Sequence, residues 1–413
     1  MSKSIPYSLL TFVAASSLLF AQDGKGWTAY KPGSGLSYDG GDAFGLKWSN
    51  FLQVHWTYMA LDNGTADTST FNVRRARTTF SGHAFSKDIL FKLQLDGVDA
   101  GAAGDGALKE GHVTYNFSKS EDSAIGLRVG QGKTMYGLEG TQSSSGTWFV
   151  ETSAASSAFA GAYSRGAWIT GGLNMKDKPV RFAVGAMNTD TANGLGSGYT
   201  DRGEETANSD NELSYVLTAN FDPLGDFFDG AQTVEGKQQG DWRTENNDLR
   251  GTVGVGLAFG NGKDTTSGND VESTGININT EWAVSNWSIL GEFFTRTDDH
   301  QNGNDEEQPT GWAASVGYLM PKSGDSTIQW GFGARVSMIE TDNGDNGSVS
   351  YLTGGAGIGG VDGDVTEISA VINAFYHGHA AKTQFEYTLQ DVGPTGGTDA
   401  TNHILRIGFQ LMF

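Results

Sequence analysis

The densest run of positive charge in the sequence is Arg74-Arg75-Ala76-Arg77. Three guanidiniums in four residues suit the attraction of an anion, because each holds a fixed charge and a rigid fork of donors. On a strand, Arg75 and Arg77 share one face and Arg74 takes the other. Lining a wet passage, such a row lowers the barrier to anions; at a membrane interface the same arginines would only be solvated. Other chemistries find less support. The chain has no cysteine, which excludes thiolate metal sites, disulfides and cysteine nucleophiles. Its seven histidines form no H-E-x-x-H, and no G-x-S-x-G occurs. Gly254-x-Gly256-x-x-x-Gly260 lacks the spacing of a dinucleotide loop. The acidic runs Asp298–Glu307 and Asp342–Gly347 are rich in oxygen ligands but lack the calcium-loop spacing, and read as solvated loops. No cofactor is expected.

The elements that must position these arginines are strands. Sixty glycines in 413 residues is about twice ordinary usage, hydrophobic residues reach only 37% and charged ones 18%. Helical bundles tolerate little interior glycine, so β-structure follows. A formal charge of −21 offers no basic field to nucleic acid. Residues 1–21 read as a signal peptide: Lys3, an apolar stretch from Leu9 to Phe20, then Ala21 before a polar run. Residues 22–43 read as an irregular lead-in, and 44–413 as one continuous domain.

From Phe44 onward, segments of about ten residues alternate apolar and polar side chains, the pattern of transmembrane β-strands. In the last one Leu405, Ile407, Phe409, Leu411 and Phe413 oppose Arg406, Gly408, Gln410 and Met412. Sixteen such strands are expected, starting near residues 44, 70, 88, 108, 123, 163, 179, 212, 249, 274, 286, 310, 326, 364, 380 and 402. Short polar turns alternate with long Gly/Asn/Asp-rich loops, as periplasmic turns and outer loops do in a membrane barrel. One connection breaks the alternation: Asp222 to Asp248 is long where a short turn belongs. Trp48, Trp56, Trp168, Trp282, Trp287, Trp312 and Trp330 suit aromatic girdles. The fold class is therefore all-β, a transmembrane antiparallel barrel of about sixteen strands, with a soluble secreted adhesin as the alternative.

At this point the sequence resembles a known family. The Arg74–Arg77 run, Gly130-Gln131-Gly132-Lys133-Thr134-Met135-Tyr136-Gly137-Leu138-Glu139 and Thr147-Trp148-Phe149-Val150-Glu151 are similar to the phosphate-selective porin O and P family, and Phe413 matches the ending of outer-membrane barrels. The resemblance implies a sixteen-stranded, usually trimeric barrel in the outer membrane, with a third loop folded inward to narrow the pore. Glu139 to Ala162 fits that loop, with Thr147, Trp148 and Glu151 as its constriction residues. By alternation Lys92, Arg128, Lys133, Arg181, Arg335 and Arg406 fall on the lumen side and join Arg74 and Arg75 as candidate pore-lining cations. Asp96, Glu110, Glu281, Glu292, Glu367 and Glu386 share that side. The sequence departs from the phosphate-selective pattern in one respect. No Lys or Arg lies between Lys133 and Arg165, and Thr147 stands where the resemblance implies a lysine. The expected function is passive diffusion of small hydrophilic solutes, anions such as phosphate among them, by a non-enzymatic homotrimer in outer-membrane lipid. Motifs alone leave an outer-membrane lipid hydrolase open.

Overall fold

A computed structural model describes residues 26–28, 30, 33–62, 66–98, 108–160, 163–188, 213–243, 248–263, 270–300, 306–341, 363–394 and 399–413. The expected signal peptide and the acidic run Asp342–Gly347 lie outside these residues.

Two short strands, β1 (Gly26–Trp27) and β2 (Leu36–Asp39), precede sixteen longer ones. These are β3 (Phe44–Ala60), β4 (Thr68–Ala84), β5 (Ser86–Asp96), β6 (Leu108–Lys119), β7 (Ser123–Lys133), β8 (Tyr163–Leu173), β9 (Val180–Asn188) and β10 (Leu213–Phe221) in the first half. The second half holds β11 (Arg250–Lys263), β12 (Asp270–Val284), β13 (Trp287–His300), β14 (Thr310–Leu319), β15 (Gln329–Glu340), β16 (Gly363–Phe375), β17 (Ala381–Pro394) and β18 (Ala400–Met412). The sixteen strands expected from period two are the sixteen that form. Each pairs antiparallel with the next, and β18 pairs with β3 from His403↔Ala60 to Met412↔Phe51. The sheet therefore closes on itself and leaves no edge. Within the lead-in, β1 pairs with β2 and β2 with β3.

The burial pattern is inside-out. On β18, Leu405, Phe409 and Leu411 are exposed while Arg406 and Gln410 are buried. On β17, Phe385 and Tyr387 are exposed while Lys382, Gln384, Glu386 and Thr388 are buried. A water-soluble sandwich would bury the opposite face; a membrane barrel turns its apolar face to acyl chains. Trp168 departs from the girdle expected of it. It is fully buried, among Met135, Tyr136, Ala183 and Met187, because its register opposite Arg128 places it on the lumen side while Ile169 faces out.

One end of the barrel carries the short turns, such as Phe85 between β4 and β5 and Ser285-Asn286 between β12 and β13. Ser285 and Asn286 have φ of 47° and 72°, the left-handed pair of a tight hairpin. The long β10–β11 connection leaves the barrel at this same end.

Candidate functional site: the narrowed lumen

The β7–β8 connection does not stand above the barrel. It folds inward as two short helices, α1 (Leu138–Thr141) and α2 (Ala154–Phe159), joined by a largely buried run of bends and turns. Backbone that leaves a strand for the lumen must find partners for its N–H and C=O groups, and the far wall supplies them. Glu292 on β13 accepts from the N–H groups of Leu138 and Glu139 at the start of α1. Glu281 on β12 accepts from Gln142 at 2.6 Å, and Glu386 on β17 accepts from the Val150 N–H at 2.7 Å. Lys382 donates to the Thr147 carbonyl at 2.7 Å, and Gln384 and Asn373 both donate to that of Trp148. Lumen glycines supply the space. A Cβ on Gly317 or Gly331 would sit 2.4 or 2.5 Å from the Trp148 ring, so only glycine lets the indole lie against the wall there. Its Nε1–H donates to Ser288 at 2.9 Å. The loop thus crosses the lumen to β12–β18 and is fixed there.

All eight candidate cations lie on the lumen side, and each has a partner. Arg74 Nε donates to Glu151 Oε1 at 2.5 Å and Arg75 Nη2 to Glu151 Oε2 at 3.1 Å. Arg74 does not take the opposite face that alternation assigns to it. Gln53 pairs with Arg75 and Val54 with Val73, so Arg74 is the extra residue of a β-bulge, which turns it inward beside Arg75. Lys92 bonds Glu110 at 2.7 Å, Arg128 bonds Glu235 at 2.8 Å and Arg406 bonds Glu386 at 3.1 Å. Arg181 bonds Asp222 at 2.6 Å and Asp226 at 2.5 Å. Lys133 donates to the carbonyls of Gly140 and Gln142, and Arg335 to that of Glu151, so both hold the inward loop. Thr147 is buried, its hydroxyl donating to the Phe149 carbonyl at 2.8 Å.

Glu151 is the electrostatic pivot. Burial pushes its carboxyl up, but the Arg75 and Arg74 guanidiniums outweigh burial and hold it well below the usual carboxylate range. Two fixed cations share this one carboxylate.

A sequence model described as phosphate-selective porin O and P matches residues 51–348, well over half of the chain. The chain belongs to that family. No curated protein matches it in sequence. Among solved structures, the outer membrane channel DcaP of Acinetobacter baumannii is similar at a TM-score of 0.55 and 12% identity, covering 90% of this chain and 98% of that one. An anion-selective porin from Comamonas acidovorans gives 0.54 at 9% identity, covering 89% and 99%. The trimer form of OmpT from Vibrio cholerae gives 0.50 at 13% identity, covering 90% and 100%. The protein is an outer-membrane porin, a channel-forming barrel.

Sequence reasoning missed several residues of this porin's lumen. Lys382 stands on the polar face of β17, and its alternation could have added it to the cations. Lys109 is the extra residue of a second bulge, opposite Gln94 and Leu95, and lies 4.9 Å from the Tyr163 ring; no local signal marks it. Gln239 and Trp242 lie in the over-long connection, whose length was their only trace.

Proposed function

We propose that this porin passes small hydrophilic solutes by passive diffusion, with a weak preference for anions and no enzymatic activity. Its aqueous path passes beside Arg74 and Lys92, on β4 and β5. The inward loop takes its wall contacts from β12–β18, where lumen side chains such as Ser337, Asn373, Lys382 and Glu386 are fully buried. Across from them, the side chains of Arg74 and Lys92 keep 36% and 32% of their surface exposed.

The observation that carries the anion preference is the sharing of Glu151 by Arg74 and Arg75. Two guanidiniums set side by side at the edge of a wet path favour anions over cations. The preference is weak because the other lumen cations are matched by carboxylates or carbonyls. Stripping water from phosphate requires donors that are not already engaged, and the lysine implied by the family resemblance is replaced by Thr147. Phosphate therefore passes as one anion among several. The family assignment and the similarity to an anion-selective porin from Comamonas acidovorans support the sign. We further propose a homotrimer in outer-membrane lipid, in keeping with the trimer form of OmpT.

Reversal potentials in a potassium chloride gradient test the reading. Wild-type protein should show a modest anion preference, and the Arg74→Ala/Arg75→Ala variant should lose it. Cation preference in the wild type would overturn the proposal. So would a potential unmoved by the double substitution.

A further inference from the structure

The β10–β11 connection is the one segment that broke the alternation of short turns and long loops, and its described part, Asp222–Arg243, is not a surface excursion. It enters the lumen from the short-turn mouth, opposite to the inward loop. Asp222 and Asp226 receive the Arg181 guanidinium, and Glu235 receives that of Arg128, so two wall cations hold the segment in place. Phe227 and Phe228 pack with Leu138 of α1, Ala283 and Leu290 in a buried cluster.

Beyond this anchor the segment meets the tip of the inward loop. The Gln239 N–H donates to the Gly146 carbonyl at 2.8 Å. Its side-chain oxygen accepts from the Trp148 N–H at 2.9 Å, and its side-chain nitrogen donates to Gln142 at 2.9 Å. The Gln239 carbonyl lies 2.9 Å from the ring nitrogen of His379, in the β16–β17 turn. Gly240, with φ of 106°, turns the chain so that Trp242 packs edge-on against Phe375, ring centres 4.9 Å apart; Phe375 in turn packs on Trp148.

We propose that Asp222–Arg243 is a second constriction element, entering from the periplasmic mouth, and that Gln239 is the positioning residue that fixes how deep the inward loop sits. One residue satisfies three residues of the loop tip, through the side chain of Gln142 and the backbone of Gly146 and Trp148. Without it the tip would lose its lower contacts while keeping those to β16–β18. The pore cross-section is then set jointly by one segment from each mouth. The inference depends on the channel itself and not on its ion preference.

The natural absence of cysteine gives a clean test. A Cβ built on Gly146 would lie 3.0 Å from the Gln238 Cα, so Gly146→Cys with Gln238→Cys should cross-link when the folded, detergent-solubilised protein is treated with a mild thiol oxidant such as diamide, which takes up the two electrons and two protons. Replacing residues 231–242 with a Gly/Ser linker should raise single-channel conductance roughly twofold or more and admit larger sugars in liposome swelling. Gln239→Ala, checked for a normal heat-modifiable folded band, should give a smaller rise with flickering between levels. Failure of the cysteine pair to cross-link would overturn the proposal. So would a folded Gln239→Ala channel with wild-type conductance, solute cut-off and a single steady level. These readouts stand apart from the reversal potential, so either reading can fail alone.

Discussion

At the scale of single residues, the lumen is governed by how many carboxylates face how many guanidiniums. Glu151 faces two, and removing its charge should make the field beside them more positive. A unit charge about 4 Å from a permeating ion through water is worth about 1 kcal/mol, about a fivefold change in local occupancy. Glu151→Gln is therefore expected to raise the anion-to-cation permeability ratio by about that factor, read from the reversal potential. It should also lower thermal stability, because two buried or half-buried arginines lose their counter-charge, at a cost of about 3 kcal/mol. The pH dependence follows from the same pair. Burial raises the Glu151 carboxyl, the two arginines more than reverse that, and its ordinary value is 4.5. A group depressed in the folded state contributes its stability in full above its unfolded value and loses it as pH falls toward the folded one. Selectivity and melting temperature should thus stay flat through this group from pH 8 to about 5, with anion preference rising only in stronger acid. A titration of reversal potential centred near neutrality would show that Glu151 does not set the field.

At the scale of elements, the inward loop is seated by a groove made of missing side chains. Gly317 and Gly331 on neighbouring strands leave room for Trp148. Gly331→Ala would place a methyl 2.5 Å from the indole and 2.8 Å from Phe375, and neither ring has a free side to retreat into. Overpacking of this kind costs about 1–3 kcal/mol. The variant should melt earlier and conduct differently, with the barrel strands intact by circular dichroism; an unchanged conductance would mean that Trp148 is not what seats the loop. The strands themselves were legible because a period of two, repeated sixteen times with turns between, is a local property of the sequence. The inward loop was legible mostly through the family resemblance that Gly130–Glu139 and Thr147–Glu151 carry. The bulge at Arg74 was not, since one extra residue in a ladder leaves no mark in composition and reverses the face that parity assigns. Trp168 failed for a related reason: an aromatic on a strand suits lipid or lumen equally, and register decides. The fold of Asp222–Arg243 was hidden because its partners, Gln142, Gly146 and Trp148, are distant in sequence and two of them are recognised through backbone groups.

At the scale of the whole molecule, the barrel has exchanged the usual interior for an exterior. Phe71, Val113, Tyr115, Ile278, Ile289, Ile368, Phe409 and many similar residues face outward, and no helix among the described residues is long and apolar enough to cross a membrane. Each such side chain left in water forgoes about 1.5–3 kcal/mol of burial, and dozens together exceed the net stability of any single domain. Closure adds to the constraint. The β18–β3 seam is continued by Phe413 and Asn50, which exchange backbone hydrogen bonds of 3.0 and 2.6 Å, so Phe413 is part of the wall that closes the sheet. The folded chain should therefore be soluble only with surfactant, and should run on a denaturing gel as a compact species until heated, when it shifts in one cooperative step. Light scattering in mild detergent should give the mass of three copies. A chain lacking residues 1–21 that stayed folded and monodisperse in plain buffer would mean that the apolar face is covered by protein and not by lipid. A particle of one copy would leave the barrel intact and remove the trimer.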